Sequence, residues 1–190
     1  MKLKQLVTEI KAGYTFRGKI QTVQDADIAI IQLKDIDYEF QQIGLPYVFL
    51  PRSNFNPNHF LQKGDILFIA KGARNMAVIY NNEGESIASS VFFVIKTDKN
   101  KLLPEYLAWY INSKKSQAYF ERVKSGSSTL NINKQALEEL EINTPSMEMQ
   151  NKIANYCNLC RREYILMSNI LIKKKALNEQ KMLNLLTSKK

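Results

Sequence analysis

Side chains that could contact DNA bases occur in two glycine-containing segments of the sequence. Lys71, Arg74 and Asn75 follow the apolar run ILFIA, and Arg17 and Lys19 lie between and beside glycines near the start. Arg can donate two hydrogen bonds to guanine, and Asn can pair in the same way with adenine. We predict that Arg17, Lys19, Arg74 and Asn75 read bases and that Lys71 contacts the same DNA.

A third segment could bind the phosphate backbone. It combines positive charge with hydroxyl groups, both of which contact phosphate oxygens. Its predicted DNA-binding residues are Lys114, Lys115, Arg122, Lys124, Ser127 and Ser128. Each segment has a plain alternative, because a charged loop is usually only a solvated loop.

The sequence shows no complete reaction centre. Residues 13–19 spell the G-x-x-x-x-G-K of a phosphate-binding loop, but Ile20 replaces the magnesium-binding Ser or Thr, and a helix is predicted before it. The only histidine, His59, is predicted to be exposed in a loop. Cys157 and Cys160 have C-x-x-C spacing without further ligands. We therefore predict no catalytic residue, no metal and no cofactor on this chain.

Positive charge is concentrated at the C-terminal end. The net charge is +9, but residues 1–150 hold 18 Lys and Arg against 16 Asp and Glu, whereas residues 151–190 hold nine against two. Such a tail suits nucleic acid or an acidic protein. A non-catalytic protein-interaction adaptor with a basic coiled-coil helix is therefore the alternative to a DNA-binding protein.

The elements that would carry these residues are mixed at first and helical later. Leu3, Leu6, Val7 and Ile10 predict a short amphipathic helix that ends at Gly13. Short β-prone runs follow at 28–33, 47–50, 66–70 and 76–80. The turn residues 81–85 predict a hairpin that pairs AVIY with SIASSVFFVI, and Pro104 predicts the start of a helix.

No helix-breaking residue follows Pro145, so a helix of about 40 residues and about 60 Å is predicted there. Its apolar side chains recur on stripes and favour a coiled coil with a second helix, from this chain or another. The alternative is a helical hairpin on its own domain. The predicted partner or dimer residues are Ile153, Cys157, Cys160, Tyr164, Met167, Ile170, Leu171 and Leu177.

The order of the segments resembles the target recognition domain of a Type I restriction-modification specificity subunit. The resemblance runs through KQLVTEIKAGYTFRGKI, IIQLKDI, LQKGDILFIAKG, SSVFFVI, LLPEYLAWYINS, the loop beginning VKSGSSTLNINK, and the basic helix. It implies an α+β fold, with a curved, mainly antiparallel sheet and flanking helices, followed by a long C-terminal coiled-coil helix. The target recognition domain would span residues 1–146, and residues 147–190 would form the helix for dimerisation, spacing and methyltransferase docking.

The resemblance also implies a function and partners. The chain would read one half of a bipartite target in double-stranded DNA and position a DNA methyltransferase subunit, with a restriction or translocase subunit as a further partner. S-adenosylmethionine is expected on the partner methyltransferase only. Family members carry two recognition domains and this chain has one, so we expect a homodimer or pairing with a different half-subunit. The sequence has no run of about 18 apolar residues, which predicts a soluble, cytoplasmic protein.

Overall fold

The computed structural model describes residues 1–18, 20–23, 26–46, 48–126 and 130–187. Within these described residues, nine strands come first and four α-helices follow. The strands are β1 (Val7–Ala12), β2 (Ile28–Ile31), β3 (Ile36–Asp37), β4 (Gln42–Ile43), β5 (Phe49–Leu50), β6 (Ile66–Ile69), β7 (Ala77–Ile79), β8 (Ser86–Ala88) and β9 (Phe92–Thr97). The helices are α1 (Pro104–Asn112), α2 (Lys114–Ser125), α3 (Lys134–Glu138) and α4 (Met147–Thr187).

The described strands form three sheets. The largest is antiparallel with the order β1-β9-β6-β7, the second has the order β5-β2-β8, and β3 and β4 form a two-stranded hairpin. Only β2 and β8 pair in parallel among the described strands. The α+β class with mainly antiparallel sheets and a long C-terminal helix is therefore confirmed.

The main core lies between the large sheet and helices α1 and α2. Phe68 of β6 is fully buried and its ring centroid lies 5.0 Å from that of Phe120 on α2. Leu107 and Ile111 of α1 are buried in the same cluster. The opposite face of the sheet packs in a second cluster, which includes Leu67, Ile69 and Val78. Because β6 is buried on both faces, it is a continuous apolar run without polar alternation.

The predicted helix over residues 3–13 is wrong. Leu3–Gln5 is a single 3-10 turn, and Val7–Ala12 is a strand that pairs antiparallel with β9. Leu3, Leu6 and Ile10 are buried, so the apolar positions were identified correctly. Their spacing fits a 3-10 turn followed by a strand as well as it fits a helix, and the pairing with β9 decides for the strand.

The predicted hairpin across residues 81–85 is also wrong. Strand β7 pairs with β6, whereas β8 leaves the large sheet and pairs in parallel with β2. Strand β9 returns to the large sheet between β1 and β6. Residues 81–85 connect strands of two different sheets, and the partner of β8 lies 57 residues away, which a local pattern does not encode.

Helix α1 begins at Pro104, as the proline predicted, and α4 begins at Met147. The chain divides into two compact units, Met1–Ala154 and Asn155–Lys190. Gln150 belongs to the first unit: its side chain accepts from the backbone N–H of Leu103 at 3.0 Å and donates to the carbonyl of Lys101 at 3.1 Å. The proposed division into 1–146 and 147–190 as functional domains stays a prediction.

Candidate nucleic-acid interface

Four strands of the two larger sheets end at the same edge. Strands β1 and β6 both end beside Phe92 and Phe93, the first residues of β9. Strand β2 runs parallel to β8 and ends beside Ala88, the last residue of β8. The connecting segments therefore leave the sheets together at this edge, which we call the loop edge: residues 13–18, 32–35, 70–76 and 89–91.

The segment 13–18 is held tightly where it leaves β1. The backbone N–H of Gly13 donates to the carbonyl of Phe92 at 3.0 Å, and that of Tyr14 donates to Ala88 at 2.7 Å. A Cβ atom on residue 13 would lie 2.2 Å from the carbonyl oxygen of Ser89. Only glycine fits this approach, so the segment that carries Arg17 begins from a fixed point.

Arg17 is exposed and lines an open groove of about 730 Å³. Aromatic side chains line this groove around Tyr14. The ring centroid of Tyr14 lies 4.8 Å from that of Phe16, 5.2 Å from that of Phe55 and 5.0 Å from that of His59. His59 is half-buried against Tyr14, so the expectation of an exposed loop histidine is wrong. The groove places a guanidinium beside a concave apolar surface.

One reason given against a phosphate-binding loop at residues 13–19 is also wrong, because strand β1 precedes it rather than a helix. The other requirements are still not met. Ile20 occupies the magnesium-ligand position, and the next described element is strand β2 at Ile28 instead of a helix. Helix N-terminal amides that would hold a phosphate are therefore not provided by this element. Lys19 lies outside the described residues.

The second loop, residues 70–76, is held together by hydrogen bonds across its base. Ile69 donates its backbone N–H to Met76 at 2.9 Å, and the Asn75 side-chain amide donates to the Ile69 carbonyl at 2.9 Å. Gln117 of α2 donates to the Asn75 carbonyl at 2.8 Å. Asn75 is 1% exposed. This burial does not fit the prediction that Asn75 reads adenine, and we assign Asn75 to the framework of the loop.

Lys71 and Arg74 in this loop are exposed. The Arg74 guanidinium lies over the ring of Tyr38, 6.0 Å from its centroid, within the reach of a cation–π attraction. Burial raises the pKa of the Tyr38 hydroxyl, and the positive charge of Arg74 acts in the opposite direction. Tyr38 lies in the β3–β4 hairpin, so two separate elements meet at Arg74.

Helix α2 presents its cations on different sides. Lys114, Lys115 and Arg122 are exposed, whereas Lys124 is 8% exposed and pairs with Glu121 at 2.6 Å. Lys124 therefore does not fit the prediction of a phosphate contact. Lys115 and Arg122 line a smaller cavity of about 280 Å³ together with Ser116, Tyr119, Glu139, Leu140 and Glu141. Ser127 and Ser128 lie outside the described residues.

Comparison with known proteins identifies the family of this domain. The family model for the Type I restriction modification DNA specificity domain matches residues 1–159. The chain belongs to this family. The sequence-based resemblance is thus confirmed, and the loop edge is an edge of a Type I specificity domain.

Relatives of this specificity domain are longer than the chain. The HindI Type I restriction enzyme specificity subunit of Haemophilus influenzae is 32% identical in a 97-residue alignment that covers 49% of this chain and 21% of that protein. The chain therefore spans about a fifth of the length of this relative.

Solved structures share its fold. The HsdS subunit of Thermoanaerobacter tengcongensis matches with a TM-score of 0.61 and 17% identity, over 98% of this chain and 46% of that one. The S subunit of M. genitalium matches with a TM-score of 0.58 and 19% identity, over 92% and 42% of the two chains. A chain from a structure of complex assembly and conformational transition of the type I R-M system matches with a TM-score of 0.62 and 15% identity, over 92% of this chain and 41% of that one.

The predicted partner residues of the specificity domain lie along α4. Ile153 is half-buried and packs against the main core, so it does not fit a role in pairing. Cys157 is half-buried, and burial raises the pKa of its thiol. The remaining predicted residues are exposed in this chain: Cys160, Tyr164, Met167, Ile170, Leu171 and Leu177. Among the described residues from 155 to 187 none is buried.

The sequence did not reveal two residues that support the loop edge of the specificity domain. Tyr38 lies under Arg74. Asn112 at the end of α1 accepts from the Ala77 N–H and donates to the Ala77 carbonyl, both at 2.8 Å, and also donates to the Gln41 side chain at 3.0 Å. An aromatic residue in a short hairpin and an amide at a helix end carry no local sequence signal for these contacts.

No helix among the described residues is both long and apolar enough to cross a membrane.

Proposed function

We propose that this chain reads one half of a bipartite site in double-stranded DNA as a specificity component of a Type I restriction-modification system. The observation that carries the proposal is the loop edge, where the separate segments bearing Arg17, Lys71 and Arg74 leave the sheets together. Membership of the Type I DNA specificity domain family supports it. Exposed cationic side chains on neighbouring loops can enter a groove of duplex DNA together.

The exposed cations divide into two proposed roles. Arg17 and Arg74 stand on loops at the loop edge and are proposed to read base edges, with Lys71 beside them and Lys19 as a further candidate. Lys114, Lys115 and Arg122 stand on α2 and are proposed to contact phosphates, which set the register of the protein on DNA without reading sequence. Ser127 and Ser128 remain predicted phosphate contacts.

The proposed reaction is carried out by partners. The chain would position a DNA methyltransferase subunit, which would hold S-adenosylmethionine, and a restriction or translocase subunit could join the same complex. We propose no catalytic residue, metal or cofactor on this chain. The proposed location is the cytoplasm, where these partners would meet their DNA substrate.

A second helix is proposed to pair with α4. Exposed Met167, Ile170 and Leu171 lie within one and a half turns and would be covered by a partner helix. The partner is proposed to be a second copy of the chain or a different half-subunit. Two copies related by a two-fold axis would read an interrupted palindrome.

Salt dependence of DNA binding tests the proposed function. The full chain, alone and with its methyltransferase, is titrated into a randomised duplex pool at several salt concentrations, and the bound fraction is sequenced. Counterion release predicts a log-log slope of roughly −0.9 for each phosphate contacted, together with an enriched bipartite sequence. Absence of any enriched sequence, with or without the methyltransferase, contradicts the proposal and favours a protein-interaction adaptor.

A further inference from the structure

The loop of residues 70–76, called the Arg74 loop, lies beside the β3–β4 hairpin. Arg74 is exposed at the end of its loop, yet its guanidinium is located over the ring of Tyr38. Tyr38 is half-buried and packs against the cluster that contains Leu67, Ile69 and Val78. The ring is thus anchored in the core on one side and offers its surface to a flexible charged side chain on the other.

The hairpin is itself fixed relative to the Arg74 loop. The Gln41 side chain accepts from Asn112, whose amide group also forms two hydrogen bonds with Ala77 of β7. Strand β7 is the strand into which the Arg74 loop leads. One amide therefore connects the hairpin, helix α1 and the strand after the loop, so the hairpin and the loop cannot shift independently without breaking these bonds.

The Arg74 side chain is exposed, and the Tyr38 ring is the contact that orients its guanidinium. Its backbone neighbours are fixed by Asn75, through the bond to Ile69 and the bond from Gln117. An arginine loses considerable rotamer freedom when it forms two hydrogen bonds to one base. A ring that holds the guanidinium before DNA arrives reduces that loss.

We infer that Tyr38 is a specificity-determining positioning residue, which orients the Arg74 guanidinium for the base pair that Arg74 reads. This inference rests on the proposed DNA-reading function and adds the β3–β4 hairpin to it. Tyr38 need not touch DNA in this role. It acts through Arg74 alone, so its effect is confined to one position of the recognised sequence.

The test compares base preferences position by position. The full chain with its methyltransferase selects from a randomised duplex pool, and the preferences of the wild type, Arg74→Ala, Tyr38→Leu and Tyr38→Phe are compared. Arg74→Ala is expected to reduce the preference at one base pair by about 5- to 150-fold. Tyr38→Leu is expected to reduce it at the same base pair by about two- to five-fold, whereas Tyr38→Phe, which keeps the ring, retains it.

Two further variants complete the experiment. The double variant Tyr38→Leu with Arg74→Ala is expected to match Arg74→Ala, because Tyr38 acts only through Arg74. Lys101→Ala removes an exposed positive charge beyond the far end of β9 and is expected to leave all preferences unchanged.

The possible failures are distinguishable. If Arg74→Ala leaves every preference unchanged, the proposed role of Arg74 in reading DNA is wrong. If Arg74→Ala acts and Tyr38→Leu does not, or Tyr38→Leu acts at a different base pair, the inference about Tyr38 is wrong.

NMR of the wild type covers the case in which Tyr38→Leu fails to fold. The δ-protons of Arg74 are expected upfield of their position in the urea-unfolded chain, and an unshifted signal overturns the inference.

Discussion

Asn75 and Ile69 are joined across the base of the Arg74 loop, because the buried Asn75 amide donates to the Ile69 carbonyl at 2.9 Å. The bond lies where strand β6 ends, next to the Ile69 N–H that donates to Met76. It therefore closes the loop at its root and leaves the tip, with Lys71 and Arg74, exposed to solvent.

Replacement of Asn75 by alanine is expected to destabilise the domain. The variant loses a buried hydrogen bond and leaves a polar group without its partner, which costs about 1–3 kcal/mol of the free energy of unfolding. Urea denaturation followed by circular dichroism measures the loss. Asn81→Ala, at an exposed position in the loop after β7, is the matched control and should stay within about 0.5 kcal/mol of the wild type. Equal stabilities of the two variants would contradict the role of Asn75.

Gly13→Ala is expected to disturb the loop edge because the new Cβ would meet backbone oxygens of Ser89 and Ala88 at 2.2 and 2.6 Å. Neither oxygen belongs to a side chain that can rotate away, so a loss of about 1–3 kcal/mol or more is expected in thermal or urea unfolding. Gly126→Ala is the control, since its nearest neighbours lie at 3.8 Å. A Gly13→Ala variant as stable as the wild type would show that β1 and the β8–β9 turn separate easily.

Arg122→Ala tests the proposed division between phosphate and base contacts. Loss of one phosphate contact should weaken binding to all duplexes alike and make the slope of log affinity against log salt shallower by about 0.9. Fluorescence anisotropy at several salt concentrations, on the selected site and on an unrelated duplex, measures both quantities. A change confined to the selected site would assign Arg122 to base reading instead.

Charge on the apolar stripe of α4 is expected to prevent self-association. Met167→Glu and Leu171→Glu lie one turn apart at exposed positions, and each removes about 1.5–3 kcal/mol of apolar burial from a paired helix. Sedimentation or light scattering at micromolar concentration should then give a dimer for the wild type and a monomer for the double variant. Asn169→Glu, an exposed polar position in the same turn, controls for the added charge. A monomeric wild type would contradict homodimerisation.

Acid is expected to weaken the contact between the N-terminal lysines and Glu139, the residue that follows α3. Hydrogen bonds and charge from Lys2 and then Lys4 lower the pKa of Glu139 below its ordinary value of 4.5. A carboxyl whose pKa is lower in the folded state stabilises the fold above its ordinary pKa and loses this effect as the pH falls through the folded value. The stability difference between the wild type and Glu139→Gln should therefore shrink below about pH 4.5 in urea unfolding series. A difference that is constant with pH would contradict the pairing, and Glu83→Gln serves as the exposed control.

Local patterns predicted the elements that one residue type or one apolar run marks by itself. Pro104 marked the start of α1, and the apolar run at 66–70 identified β6. The strand over Val7–Ala12 was missed because its partner, β9, lies more than 80 residues away. The parallel pairing of β8 with β2 was missed because these strands lie 57 residues apart. Non-local pairing, rather than propensity, decides both.

The sequence also predicted only part of the candidate site correctly, because some of the selected residues are exposed and others are buried. Arg17, Lys71 and Arg74 were selected by residue type and loop context, and the structure leaves them exposed. Asn75 and Lys124 were selected by the same reasoning but are buried, because Asn75 bonds to the end of its own strand and Lys124 pairs with Glu121. Residue type predicts what a side chain can bind, whereas only the fold decides whether it is accessible.

Gln150 anchors the first turns of α4 to Leu103, Lys101 and Pro145, all of which precede residue 155. The unit Met1–Ala154 therefore includes the first turns of the long helix. Joining the chain to a foreign sequence at Asn155 breaks none of these hydrogen bonds. Grafting at that point, in helical register, would place the loops on a helix of chosen length, and two such chains paired as proposed would hold the two proposed half-sites at a distance set by that length.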